Sequence, residues 1–184
     1  MGPITYSVCH KSIVGLLLTL TPLCDFPPLV SQKPVSLQAP QIILSETFYV
    51  PVDDLGYFLF IKHRFGSTEE RLADRLVGAE YGVPCYSRDA KSYDQYPEDQ
   101  RKRLGKPILL HATIRKVPSG ELMLDKDFRS ICPAGHDLKA TKSQIIGLIW
   151  LNRGEYSMTV INKEARPDFA NIHSSLLLSG GNAK

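Results

Sequence analysis

Short stretches of alternating apolar and polar residues recur along the chain and predict β-strands. The alternation is clearest in 108–115, where the apolar residues Ile108, Leu110, Ala112 and Ile114 alternate with the polar residues His111, Thr113 and Arg115. Aromatic and β-branched residues, which favour strands, dominate 48–50 and 57–61, and further apolar stretches lie at 121–124, 145–151, 154–161 and 172–178. About seven short strands with one helix predict a mainly β fold, an immunoglobulin-like antiparallel β-sandwich.

One stretch, 67–78, has the features of a helix. Ser67 and Glu70 have the spacing of a capping box, Leu72 and Leu76 lie one turn apart, and Gly78 suits the position after the last turn. The apolar stripe is narrow, so we expect this helix to lie on a sheet edge or to cover one end of the sandwich.

The segment 151–160 predicts a specific packing device. A strand ends at Leu151, a turn containing Gly154 follows, and Tyr156 opens the next strand. We expect Tyr156 to bury its ring and return its hydroxyl to the backbone of the turn, as in the tyrosine corner of β-sandwiches. Trp150, the only tryptophan, lies in the preceding strand. We expect it to be in the core or semi-buried, and a ligand-stacking role is the alternative.

The N-terminal residues have the pattern of a secretory signal. Lys11 precedes a short apolar run at 13–20, and Cys24 follows. The run is too short to span a bilayer, which takes about 20 apolar residues, so we interpret 1–23 as a signal peptide. Cys24 stands where a lipoprotein carries its acylated cysteine, and Asp25 after it resembles the signal that retains lipoproteins at the inner membrane. Ordinary cleavage before Ala39 is the alternative.

The segment 24–40 is rich in proline, and we interpret it as an extended tether before a folded domain at 41–184. Its prolines are Pro27, Pro28, Pro34 and Pro40.

Loss of Lys11 with the signal lowers the formal net charge from +3 to +2, and so small an excess argues against nucleic acid as a partner. Cys85 and Cys132 form an even pair in an oxidising compartment and predict a disulfide. Two separate thiols are the alternative.

Motifs that would indicate catalysis are missing from the sequence. It contains no GxSxG elbow, no HExxH and no pair of histidines at helical metal-binding spacing. We therefore predict no enzyme activity, no cofactor and no metal site. Tyrosines and charged residues alternate in 79–106, and interfaces favour Tyr and Arg. Four residues are the predicted contacts with a protein partner: Tyr86, Tyr93, Tyr96 and Arg101. A solvated connection is the alternative.

Several motifs in order resemble an uncharacterised family of proteobacterial cell-envelope proteins, often lipoproteins, with an immunoglobulin-like β-sandwich. They are Val50-Pro51-Val52 before Tyr57-Phe58-Leu59, then Leu76-Val77-Gly78, Gly105 to Leu110, and Gly154-Glu155-Tyr156. The resemblance implies a cell-envelope domain that often carries a lipid anchor, and together with Cys24 and Asp25 it predicts a periplasmic domain at the inner membrane. Such proteins are also similar to immunity proteins that neutralise type VI secretion lipases, which implies a toxic effector enzyme as the partner. An assembly or structural accessory of the envelope is the alternative.

Overall fold

The computed structural model describes residues 28–77, 93–102, 104–136 and 140–180, without the side chains of 132–136. Nine strands lie in these residues: β1 (Val30–Val35), β2 (Gln41–Val50), β3 (Leu55–Arg64), β4 (Ile108–Val117), β5 (Leu122–Ser130), β6 (Cys132–His136), β7 (Thr141–Leu151), β8 (Gly154–Asn162) and β9 (His173–Gly180). Two short α-helices are described with them: α1 (Thr68–Ala73) and α2 (Glu98–Arg101).

The strands form two packed antiparallel sheets. The five-stranded sheet has the order β1-β9-β3-β7-β6, and the four-stranded sheet has the order β2-β8-β4-β5. The predicted antiparallel β-sandwich is confirmed. Within that class, the eight strands that remain when β6 is set aside follow the crossing order of a jelly roll. This order differs from the four-plus-three arrangement of an immunoglobulin domain.

The core lies between the sheets and follows the predicted alternation. On β4, Ile108, Leu110, Ala112 and Ile114 are all fully buried, as expected from the sequence. Burial of each of the three larger side chains stabilises the fold by roughly 1.5–3 kcal/mol. The inward positions of β3 and β9 complete the layer from the other sheet: Tyr57, Leu59, Ile61, Leu176 and Leu178.

The tyrosine corner is present. Tyr156 is buried, and its hydroxyl donates a hydrogen bond of 2.8 Å to the backbone oxygen of Asn152 in the preceding turn. Met158 and Val160 follow it inward on β8. The prediction for this segment is confirmed, and the bond ties the β7–β8 turn to the core.

The predicted tether is wrong for most of its length. β1 pairs with β9 in the five-stranded sheet, with Val30 opposite Leu178. Val30 is buried, and Leu29 packs against the core. The prediction failed because an edge strand tolerates proline. β1 is such a strand, and the backbone of Pro34 needs no hydrogen-bond partner on the outer side of the sheet. The folded domain therefore begins before residue 41, while the signal peptide and Cys24 lie outside the described residues.

Helix α1 is shorter than predicted. Its cap is as expected, since the Glu70 N–H donates to Ser67 Oγ at 3.1 Å. The helix ends at Ala73, where the Asp74 carboxylate accepts hydrogen bonds from the next backbone N–H groups. The predicted face is wrong, because Leu72 is exposed and Arg71 is buried. Across the residues that the structure describes, no helix is long and apolar enough to cross a membrane.

The two ends of the sandwich carry different connections. The proximal end, where the chain enters β1, is formed by the connections 51–54, 118–121 and 152–153. The distal end carries 36–40, 163–172 and the described parts of the long segment 65–107.

Candidate functional site

A tyrosine whose ring contacts two arginines lies at the distal end of the sandwich. Tyr93 opens a single 3-10 turn, Tyr93–Gln95, and its ring centre is 5.9 Å from the Arg101 guanidinium carbon and 5.6 Å from that of Arg129. Guanidinium groups within about 6 Å of a ring centre are attracted to its face. Asp94 fixes Arg129 in turn, since its Oδ2 lies 2.8 Å from Arg129 Nη1. We call these four residues the Tyr93 cluster.

Three elements bring the Tyr93 cluster together. The 3-10 turn supplies Tyr93 and Asp94, α2 supplies Arg101, and the distal part of the edge strand β5 supplies Arg129. Tyr93 and Arg101 are half-buried, whereas Asp94 and Arg129 are exposed. The cluster therefore presents an aromatic ring with fixed cations on an accessible surface, as protein-binding sites often do.

Two of the four predicted contact residues thus belong to one cluster. Tyr96 lies in the adjoining turn, half-buried, with its backbone N–H bonded to the Tyr93 oxygen at 3.3 Å. Tyr86 lies outside the described residues. Arg129 was missed, because only the fold brings the end of β5 beside the long segment.

The predicted disulfide stays a prediction. Cys85 lies outside the described residues, and Cys132 lies in β6, where only the backbone is described. The same holds for acylation of Cys24, which precedes the described residues.

A histidine between two carboxylates lies on the outer face of the four-stranded sheet. His111 Nδ1 is 2.7 Å from Asp127 Oδ1, and its Nε2 is 2.8 Å from Asp125 Oδ1. Thr113 Oγ1 lies 3.3 Å from the same Asp125 oxygen and 3.3 Å from His111 Nε2. The sequence contains a signal that could have predicted this group. A hairpin turn centred on Ser119 places His111 opposite Asp127 and Thr113 opposite Asp125.

This group resembles a hydroxyl–histidine–carboxylate triad in composition but differs from one in its hydrogen bonds. In a triad, the free imidazole nitrogen accepts the proton of the nucleophile. Here a carboxylate faces each ring nitrogen of His111, and Asp125 is also placed to accept from the Thr113 hydroxyl. Neither ring nitrogen of His111 is therefore free of a carboxylate partner, which distinguishes this group from a triad.

A second histidine is buried between the sheets near the distal end. His63 is fully buried, and its Nδ1 lies 3.0 Å from Ser174 Oγ. Burial lowers the pKa of His63 from 6.5 to about 4, although the nearby Asp74 carboxylate opposes the shift. The ring also packs against Phe169, at 5.3 Å between centroids. This histidine is a neutral core residue at physiological pH.

Metal-ligating side chains do not gather in the described part of the chain. No group of three or more histidine, cysteine, aspartate or glutamate residues has the geometry to hold a metal ion there.

Exposed apolar side chains gather toward the proximal end. Trp150 is 66% exposed, so the prediction of a core or semi-buried residue is wrong. Its position on β7 faces outward, opposite Gly56 of β3, and a Cβ at Gly56 would lie 3.5 Å from the indole. Four further large apolar side chains are exposed in the same half of the sandwich: Tyr49, Leu122, Met123 and Leu148.

The comparisons with known proteins establish the fold. No family model matches the chain, and no curated protein matches it. The crystal structure of GEBA250068378 from Sulfurospirillum deleyianum is similar, with a TM-score of 0.58 and 15% sequence identity over 85% of this chain and 99% of that chain. At this identity the likeness extends to the β-sandwich fold alone.

Proposed function

We propose that this protein is a non-catalytic binding module of the bacterial cell envelope, and specifically an immunity protein that binds and neutralises an antibacterial effector. The observation that carries the proposal is the Tyr93 cluster, in which Arg101 and Arg129 contact one ring and Asp94 forms an ion pair with Arg129. Tyr and Arg are the residue types that most often dominate the affinity of protein interfaces.

The cluster is ordered by its own contacts before any partner binds. An ion pair of 2.8 Å with Asp94 and one contact with the Tyr93 ring restrict Arg129, so it loses less conformational freedom on binding than an unrestrained arginine. Inhibition by occlusion needs only such an interface and no chemistry. The resemblance to envelope immunity proteins supports a toxic enzyme, such as a type VI secretion lipase, as the partner.

The cellular location proposed from the sequence is compatible with a binding surface at the Tyr93 cluster. A signal peptide at 1–23 and an acylated Cys24 would place the domain in the periplasm on the inner membrane. The chain enters β1 at the proximal end, so the Tyr93 cluster at the opposite end would face away from the anchor. Palmitate labelling that is unchanged by Cys24→Ala would remove the anchor from the proposal.

Binding to a type VI secretion lipase, the proposed class of effector, tests the function. The full chain should bind that effector and protect cells that produce it in the periplasm. Tyr93→Ala should weaken binding about tenfold or more, as expected for an interface anchor. Tyr49→Ala is the matched control, because Tyr49 also contacts an arginine, Arg153, but lies at the proximal end. Absence of binding and protection, or equal binding by Tyr93→Ala and wild type, would contradict the proposal.

A further inference from the structure

The stretch of chain between Cys24 and the folded domain is short. Leu29 already packs against the core, and Val30 pairs with β9. Five residue steps separate Cys24 from Leu29, and they span at most about 18 Å when fully extended. The domain therefore cannot stand clear of any membrane in which Cys24 is anchored. The end of the sandwich nearest that membrane is the proximal end.

Most of the exposed large apolar residues lie in this proximal half. Of the seven described, five are there: Tyr49, Leu122, Met123, Leu148 and Trp150. They lie on both sheets, whereas Ile42 and Leu72 are the two in the distal half. Tryptophan and tyrosine concentrate at membrane–water interfaces, where one side of the ring is apolar and the other wet. The exposed apolar residues thus lie mainly toward the end at which the chain enters the sandwich.

The Trp150 indole lies against Gly56 of β3 on this surface. A Cβ at Gly56 would lie 3.5 Å from the indole and 2.9 Å from Leu148 Cδ1. The missing side chain at Gly56 therefore lets the indole lie on the β3 backbone, with Leu148 beside it. An apolar side chain supported in this way needs little ordering when it enters an apolar medium.

The charges at the proximal end nearly cancel. The described cations there are Arg115, Lys116 and Arg153, and the anions are Asp53, Asp54, Glu121 and Glu155. A surface that binds lipid through electrostatics carries a clear excess of basic residues. Contact with a membrane at this end would therefore depend on apolar insertion and not on anionic headgroups.

From these observations we infer that the proximal end docks on the surface of the lipid bilayer, with the Trp150 side chain in the interfacial layer. The inference rests on the proposed acylation of Cys24, which supplies the attachment that a few apolar side chains alone would not. It gives the domain a fixed orientation, with the Tyr93 cluster directed into the periplasm.

The single tryptophan makes the inference directly measurable, since all indole emission comes from Trp150. The full chain, produced in a Gram-negative host and taken from its membranes, is reconstituted into phosphatidylethanolamine–phosphatidylglycerol vesicles with ordinary or brominated acyl chains. We expect blue-shifted emission in the ordinary vesicles and loss of emission in the brominated ones. Raising the phosphatidylglycerol fraction should not change either result.

A matched control moves the tryptophan to the distal end of the sandwich. The double variant Trp150→Phe with Leu72→Trp places the indole at a residue that is 65% exposed, against 66% for Trp150. Its emission should be the same in brominated and ordinary vesicles. Equal quenching of the two reporters would contradict an oriented domain.

Vesicle flotation in the same samples separates the inference from the anchor. Protein that floats through Cys24 but keeps its full Trp150 emission in brominated vesicles overturns the docking and leaves the anchor standing. In Cys24→Ala both the flotation and the quenching of Trp150 should be lost, because the apolar side chains alone do not hold the domain on the vesicle. A Trp150 emission change that depends on protein concentration without vesicles would assign this surface to a second copy, and would overturn the lipid assignment.

Discussion

The ring of Phe128 on β5 occupies the space into which a side chain at Gly147 on β7 would project. A Cβ atom at residue 147 would lie 2.5 Å from Phe128 Cδ1, closer than side-chain atoms approach. Phe128 is buried, and the two strands belong to different sheets. The absence of a side chain at Gly147 therefore lets the sandwich close along this side.

Replacement of Gly147 should destabilise the fold through this contact. Gly147→Ala should lower the free energy of unfolding by about 1–3 kcal/mol, as overpacking of a core does, measured by urea denaturation. In the background of Phe128→Leu the same change should cost clearly less. Gly56→Ala is the matched control, because its Cβ would meet the exposed Leu148 side chain, which can move. An equal loss at both glycines would count against the packing explanation.

The tyrosine corner predicts a measurable hydrogen-bond contribution. Tyr156→Phe keeps the buried ring and removes the bond to the Asn152 oxygen. We expect a loss of about 0.5–1.5 kcal/mol in the free energy of unfolding. Tyr49→Phe removes a hydroxyl from an exposed pair with Arg153 and should change stability by less than about 0.5 kcal/mol. If the two variants are equally stable, the corner contributes nothing.

Asp74 joins the end of α1 to the five-stranded sheet. Its carboxylate lies 2.6 Å from Lys142 Nζ and is almost fully buried, and it also accepts hydrogen bonds from the N–H groups of Leu76 and Val77. Asp74→Ala should therefore cost about 2–4 kcal/mol by denaturation, since the partly buried Lys142 ammonium loses its carboxylate and keeps only the backbone oxygen of residue 74 as an acceptor. Asp94→Ala, which breaks an exposed pair with Arg129, should cost less than about 1 kcal/mol.

The buried His63 predicts loss of stability in mild acid. Its pKa in the folded state, about 4, is below the value near 6.5 of an unfolded chain. Above pH 6.5 neither state binds the proton. Between pH 6.5 and 4 only the unfolded chain binds it, so stability falls as the pH is lowered.

The total loss from this one group approaches about 3 kcal/mol near pH 4. Denaturation of the wild type and of His63→Gln at several pH values measures it, and the variant should show a flatter pH dependence. His173→Gln, which replaces an exposed histidine, is the control. A pH dependence in His63→Gln as steep as that of the wild type would contradict this assignment.

Local patterns in the sequence were sufficient to predict the sandwich and the tyrosine corner. Both depend on short-range features, namely the period of two in β4 and the turn between Leu151 and Tyr156. The same reasoning failed at β1 and at α1. Pro34 on its own indicates an extended tether, and Leu72 on its own indicates a buried helix face. The neighbouring strands decide which backbone groups need hydrogen-bond partners and which side of the helix is covered.

The sequence by itself determined the class of fold and the residue types available for binding, because alternation and turn chemistry act over a few neighbouring positions. Only the tertiary structure decided the strand order, the exposure of Trp150 and the meeting of Tyr93 with Arg129. These depend on contacts between residues far apart in the chain, and their geometry is set by how the two sheets pack. The placement of Trp150 and of the Tyr93 cluster toward opposite ends of the sandwich follows from that packing.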